Sequence, residues 1–143
     1  MNINNVLYTG ILVKINNMPF HITLDFLGKK SREEKRKIIN DTPLNLITDI
    51  KVTHYGQYAP NGKLENVAYK VELPKYVNDL FNCSIPHITI ATYNNGRAVN
   101  SYKCFTNDGL CTPLEKPVII KGVVKCFNYK NEPLEIGAAF ELE

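Results

Sequence analysis

The four cysteines of this 143-residue chain, Cys83, Cys104, Cys111 and Cys126, form no CxxC pair and have no metal-ligand spacing with histidine. That excludes the common zinc-ribbon and thioredoxin-like patterns, and reduced, mostly packed thiols are the expectation. Charge of one sign is also scarce. With 17 Lys and Arg against 14 Asp and Glu, the formal net charge is +3, too mild for a general nucleic-acid binder held by a large counterion-release term. The N-terminal stretch MNINNVLYTGILVKINN has no basic leader and only a short apolar run, so neither a signal peptide nor a membrane span is expected there. A cytoplasmic location is the corresponding expectation, and it makes disulfides unneeded. There is no low-complexity segment and no linker, and 44% hydrophobic with 22% charged residues is an ordinary globular composition. A chain of this length buries roughly 68 to 70% of its unfolded surface, enough for one core, so residues 1–143 are read as a single domain.

Strand signals dominate. Residues 6–15 are β-branched and aromatic, Asn-Asn-Met-Pro supplies turn chemistry, and residues 20–27 read as a second strand closed by Gly28. Ser31 followed by Glu34 resembles a capping box, which predicts a helix over 32–40 that stops at Asp-Thr-Pro. The charge run KKSREEKRK, residues 29–37, then reads as a solvated helix face. Strands are expected over 46–59 and 64–74 around Pro-Asn-Gly, with a short helix over 75–82 and a strand over 85–93. A short helix over 97–105, a polar loop over 106–116, a strand over 117–129 and a last strand at EIGAAFELE follow.

Two of these strands say almost the same thing: PFHITLDF at residues 19–26 and IPHITIAT at residues 85–92. Each half of the chain then reads as motif strand, helix, strand, turn, strand, a diverged internal duplication. The expectation is an α+β fold of two pseudo-symmetric lobes with antiparallel sheets around a central cleft.

Residues two apart on a strand share a face, so His21 with Thr23, and His87 with Thr89, each present an imidazole and a hydroxyl together. If the halves are related by a pseudo-twofold, both pairs meet across one cleft. Two imidazoles suit acid–base chemistry on a phosphodiester. A neutral one takes a proton from the attacking hydroxyl or water, a protonated one gives a proton to the leaving oxygen, and the threonine hydroxyls donate to non-bridging oxygens. A lone histidine on an apolar strand is more often a packed residue; the repetition of the whole pattern argues otherwise. A metal set of His21, His87 and Asp25 is disfavoured, because Asp25 lies about 13 Å along the strand from His21.

At these motifs the sequence resembles the 2H phosphoesterases, a family with a bilobal duplicated fold and two H-x-T/S motifs. HITLDFLG is similar to the first motif, with its trailing Leu-Gly, and HITIAT to the second. The resemblance implies His21, Thr23, His87 and Thr89 as the catalytic set, no metal or other cofactor, and activity on 2′,3′-cyclic phosphates or 2′-5′ and 3′-5′ linked oligonucleotides. The compact build resembles small phage enzymes that destroy cyclic oligonucleotide messengers of bacterial immunity (anti-CBASS type), which act in the host cytoplasm. The chain departs from many relatives in having no room for a helix between the first strand and the first motif.

The expected partner is thus a small nucleotide, with neither a membrane nor long duplex DNA. Tyr8, on the strand folded against the first motif, and Tyr93, four residues past Thr89, are the candidates for substrate contact; Tyr55, Tyr58 and Tyr102 rank behind them. His54 lacks a threonine partner and reads as structural. Lys14, Arg97, Lys121 and Lys125 are possible sources of positive potential, a solvated lysine or arginine being the plainer role for each. Alternatives are an RNA-end 2′,3′-cyclic phosphodiesterase similar to 2′-5′ RNA ligases, a non-catalytic nucleotide-binding sponge, and an interaction protein whose motifs merely pack.

Overall fold

The structure, a computed structural model, describes residues 2–135; the strand expected at EIGAAFELE therefore lies outside the described residues except for Glu135. Seven antiparallel strands form one sheet: β1 (Tyr8–Ile15), β2 (Met18–Phe26), β3 (Ile47–Tyr58), β4 (Asn66–Glu72), β5 (His87–Thr92), β6 (Leu110–Phe127) and β7 (Pro133–Leu134). Their order is β2-β1-β6-β3-β4-β5, with β7 added to β6. The sheet curls until its two terminal strands, β2 and β5, touch, which nearly closes an α+β barrel-like shape.

Local chemistry explains the first half. Asn16 and Asn17 both take positive φ (52° and 64°) in the two-residue loop that pairs Ile15 with Met18, the backbone of a primed hairpin turn that asparagine tolerates. α1 (Arg32–Asp41) starts at the predicted capping box: Ser31 Oγ accepts from Glu34 N at 3.2 Å, and Glu34 Oε1 accepts from Ser31 N at 3.3 Å. Its Ile39 packs with Ile3, Val6, Leu27 and Cys126. Lys35 departs from the expected solvated face; it is buried, and its ammonium donates to the Val6 carbonyl at 3.3 Å.

The main core, Ile11, Val13, Ile22, Leu24, Ile50, Val52, Val71, Ile88 and Val124 with Val77 of α2 (Lys75–Asn78), fills one face of the sheet. α2 is shorter than the predicted 75–82, and the segment expected as a helix over 97–105 is a 3-10 helix, Ala98–Phe105. The expected loop over 106–116 becomes strand from Leu110. There β6 has only β3 as a ladder neighbour among the described residues, and a strand paired on one side tolerates Pro113 and Pro117.

The strand order reads alike from both ends, and so do its irregularities. β1 and β2 slip register between Thr9 and Gly10, leaving Leu24 as the extra residue just after Thr23. β4 and β5 slip between Val67 and Ala68, leaving Ile90 as the extra residue just after Thr89. Such bulges re-aim side chains at the end of a ladder. No helix among the described residues is long and apolar enough to cross a membrane.

Candidate functional site

β2 and β5 lie at opposite ends of the strand order, yet His21, Thr23, His87 and Thr89 line one cavity of about 430 Å³. The curl of the sheet, not proximity in the chain, brings them together. A larger groove of about 640 Å³ lies elsewhere, among Ile15, Val52, Tyr69, Leu114 and Ile120. Its ionisable lining groups among the described residues are Glu115, Lys116 and the Tyr69 phenol, with no histidine.

The His21 ring sits against two aromatic rings, Tyr8 at 5.0 Å and Phe127 at 5.6 Å between centroids, while Tyr8 and Phe127 stack at 4.8 Å and 10°. Gly10 makes room for this: a Cβ there would lie 2.5 Å from the Ile22 carbonyl oxygen and 3.1 Å from the Phe127 ring. Burial, and secondly the nearby His87, push the His21 pKa below the ordinary 6.5. Burial likewise lowers that of His87, partly opposed by a hydrogen bond to the Ile85 carbonyl.

That bond is short, 2.6 Å from His87 Nδ1 to the Ile85 oxygen. A carbonyl can only accept, so Nδ1 carries the proton and Nε2 of the neutral ring keeps a lone pair. A charge on His87 disfavours a proton on His21, so the pair passes through a state that carries one added proton. One such proton, one free lone pair and two hydroxyls within a single cavity are the equipment of general acid–base chemistry.

The hydroxyls are held differently. Thr89 Oγ1 donates to Ser101 Oγ at 2.9 Å, and Asn66 Nδ2 donates to the same Ser101 oxygen at 3.0 Å. Thr23 has no side-chain hydrogen-bond partner among the described residues.

Of the two tyrosines favoured from sequence, Tyr8 lines the cavity; only 3% exposed, it hydrogen-bonds Asn131 Oδ1 at 3.1 Å, and burial raises its phenol pKa well above 10.0. Tyr93 does not; it is 50% exposed, at the turn after β5. Tyr102 takes a place on the cavity wall that the sequence ranked lower. Tyr55 instead packs on Tyr69, and Tyr58 lies beneath the Lys103 ammonium. His54 bonds its neighbour Thr53 at 2.8 Å, outside the cavity. None of Lys14, Arg97, Lys121 and Lys125 lines it either: Lys121 pairs with Asp49, and Lys125 with Asn45 and Glu135.

Asp25 is buried, with Asn82 Nδ2 donating to it at 3.4 Å, and no group of three His, Cys, Asp or Glu among the described residues is placed to hold a metal ion. Residues that the sequence did not single out complete the walls, among them Phe26, Cys83, Ser84, Val99 and Asn131. Phe127 was findable in principle, since it pairs with Tyr8 on the strand expected over 117–129. No family model and no curated protein matches the chain.

Proposed function

We propose that this protein is a metal-independent phosphodiesterase of the 2H type, with His21 and His87 as general acid and base and Thr23 and Thr89 as donors to the phosphate. The observation that carries the reading is the convergence of both His-x-Thr pairs on one cavity from the two terminal strands of the sheet. The end-to-end symmetry of the strand order and the twin bulges after Thr23 and Thr89 support a duplicated, two-lobed origin for that arrangement.

In the reaction, a hydroxyl or water attacks phosphorus and its proton passes to the neutral imidazole. The bond from phosphorus to the leaving oxygen breaks, and that oxygen takes the proton of the other imidazole. Attack by a ribose 2′-hydroxyl leaves a 2′,3′-cyclic phosphate; attack by water opens one. With Nδ1 tied to Ile85, His87 works through Nε2 in either role.

The favoured substrate is a small cyclic oligonucleotide, met in the cytoplasm. The cavity wall offers aromatic rings at Phe26 and Tyr102, with Tyr8 packed behind His21, and no lysine or arginine among the described residues, which suits a few phosphodiesters and bases better than a long polyanion.

The test is a chromatographic assay with EDTA present. Purified protein meets cyclic di- and trinucleotides, linear 2′-5′ and 3′-5′ oligoadenylates and an RNA with a 2′,3′-cyclic end, beside the His21→Ala/His87→Ala double variant. Cleavage of the cyclic compounds that the variant loses supports the proposal. Cleavage confined to the RNA end moves the protein to RNA repair, and tight binding without cleavage makes it a sponge.

A further inference from the structure

We propose that Asn66 and Ser101 form a donor relay that aims the Thr89 hydroxyl at a non-bridging phosphate oxygen, so that the two cavity threonines are unequal. The inference rests on the phosphodiesterase reading and deepens it. Asn66 and Ser101 are both fully buried, 0% exposed, and polar groups so placed are costly unless they are bonded. Asn66 occupies on β4 the register position that Tyr8 holds on β1: Tyr8 faces Phe26 and Phe127, Asn66 faces Thr92 and Tyr58, and the small residue two places on, Gly10 or Ala68, faces the motif threonine. One half thus places an aromatic wall where the other places an amide.

The direction of the relay follows from the one partner that cannot donate. The Arg97 carbonyl accepts from Asn66 Nδ2 at 2.8 Å, so the amide nitrogen, not its oxygen, faces that side, and its second N–H serves Ser101 Oγ at 3.0 Å. Asn66 Oδ1, in contrast, is buried without a partner among the described residues. In the structure Thr89 donates to Ser101 across 2.9 Å. When an anionic oxygen enters the cavity, the Thr89 hydroxyl turns its proton to that oxygen, and the Ser101 hydroxyl turns its own to Thr89 Oγ1. Two hydroxyl rotations suffice, and no covalent bond changes. The resulting chain, amide to Ser101 to Thr89 to phosphate, polarises in one sense, so the last bond is strengthened as charge grows on the phosphate. Thr23, opposite Gly10, has no such support.

Asn66 and Ser101 are positioning residues, and a double-mutant cycle separates that role from a structural one. We would measure kcat and KM on 2′,3′-cyclic AMP and cyclic di-AMP for wild type, Ser101→Ala, Ser101→Cys, Asn66→Asp, Thr89→Val and Ser101→Ala/Thr89→Val. Thermal melts would check each fold. The expected result for Ser101→Ala is a fall in kcat of about tenfold with KM changed less than about twofold, the loss of one hydrogen bond made mainly in the transition state. Ser101→Cys, a weaker donor, should fall between it and wild type, and Asn66→Asp, which turns the donor into an acceptor, should match Ser101→Ala. In the Thr89→Val background Ser101→Ala should cost less than about twofold. A Ser101→Ala enzyme with wild-type kcat, or a full loss that persists without the Thr89 hydroxyl, overturns the relay alone, provided turnover still depends on His21 and His87. A wild type that cleaves neither these probes nor any member of the wider nucleotide panel, or histidine variants with wild-type rates, overturns the phosphodiesterase reading and the relay with it.

Discussion

Replacing Tyr8 separates the ring of that residue from its hydroxyl, and the structure assigns the two very different weights. In Tyr8→Phe the lost group is one part-buried hydrogen bond to Asn131, an exposed residue, so the cost sits at the low end for such bonds, about 0.5 kcal/mol. At about 2.1 cal/mol/K of unfolding entropy per residue, a chain of 143 residues loses about 3 °C of Tm per kcal/mol, so the shift is about 1 to 2 °C. Tyr8→Leu also removes the ring stacked on Phe127 and the wall beside His21. The aromatic pair contributes about 0.5 to 1.5 kcal/mol beyond its buried area, and the incompletely filled space adds to this, for a total of about 2 to 3 kcal/mol and a fall of about 6 to 9 °C. The more telling readout is the His21 titration, followed by NMR of its ring Cε1 proton. Burial is the first cause of the lowered His21 pKa, so opening that wall in Tyr8→Leu should raise the midpoint toward 6.5, whereas Tyr8→Phe should leave it in place. The reasoning is wrong if Tyr8→Leu titrates like wild type, or if Tyr8→Phe is as damaging as Tyr8→Leu.

Other outcomes can be checked alongside. His21→Ala and His87→Ala should each lower kcat by about 10² to 10⁴ while melting cooperatively, as expected for groups that transfer protons rather than hold the core; single variants at wild-type rates would refute the mechanism. Both histidines have pKa values below 6.5 in the folded protein, so the unfolded chain binds more protons in acid. Their contribution to stability is complete above about pH 6.5 and is lost as pH falls through the folded values, at up to about 1.4 kcal/mol per pH unit for each. Urea melts between about pH 8 and 5 should show this, with a flatter dependence in His21→Gln. Ser31→Ala removes the side-chain half of the α1 cap and should cost about 1 kcal/mol, or about 3 °C in a calorimetric scan, without touching kcat.

What could be read in advance was local. The capping box at Ser31 and Glu34, the Asn16–Asn17 turn and the two histidine strands each depend on a few consecutive residues, and Tyr8 followed from the turn that folds β1 onto β2. Tyr93 lies off the cavity wall for an equally local reason. Strict alternation from Thr89 would put residue 93 on the same face, but the bulge at Ile90 breaks the alternation and β5 ends at Thr92. Asn66 and Ser101 could not be found this way, because each is an unremarked polar residue until a third strand and a 3-10 helix are folded against β5. The early start of β6 was hidden by Pro113 and Pro117, which punctuate a sequence but are compatible with a strand that is laddered on one side among the described residues.

The near-closure of the barrel has a mechanical consequence. β2 is laddered only to β1, and β5 only to β4, among the described residues. The seam between them relies on side-chain packing and on the loop after α2, where Asn82 N donates to the Leu24 carbonyl at 2.8 Å. The two halves of the site can therefore part, or shear along the seam, without breaking a rung of the sheet. Under the proposed function, such an opening would be an exit for a nucleotide fragment that leaves the ladders intact. Strain across the same seam, from pressure, mild denaturant or a crosslink between β2 and β5, falls on the spacing of the two histidine strands, so the proposed turnover should report it before the strands begin to melt.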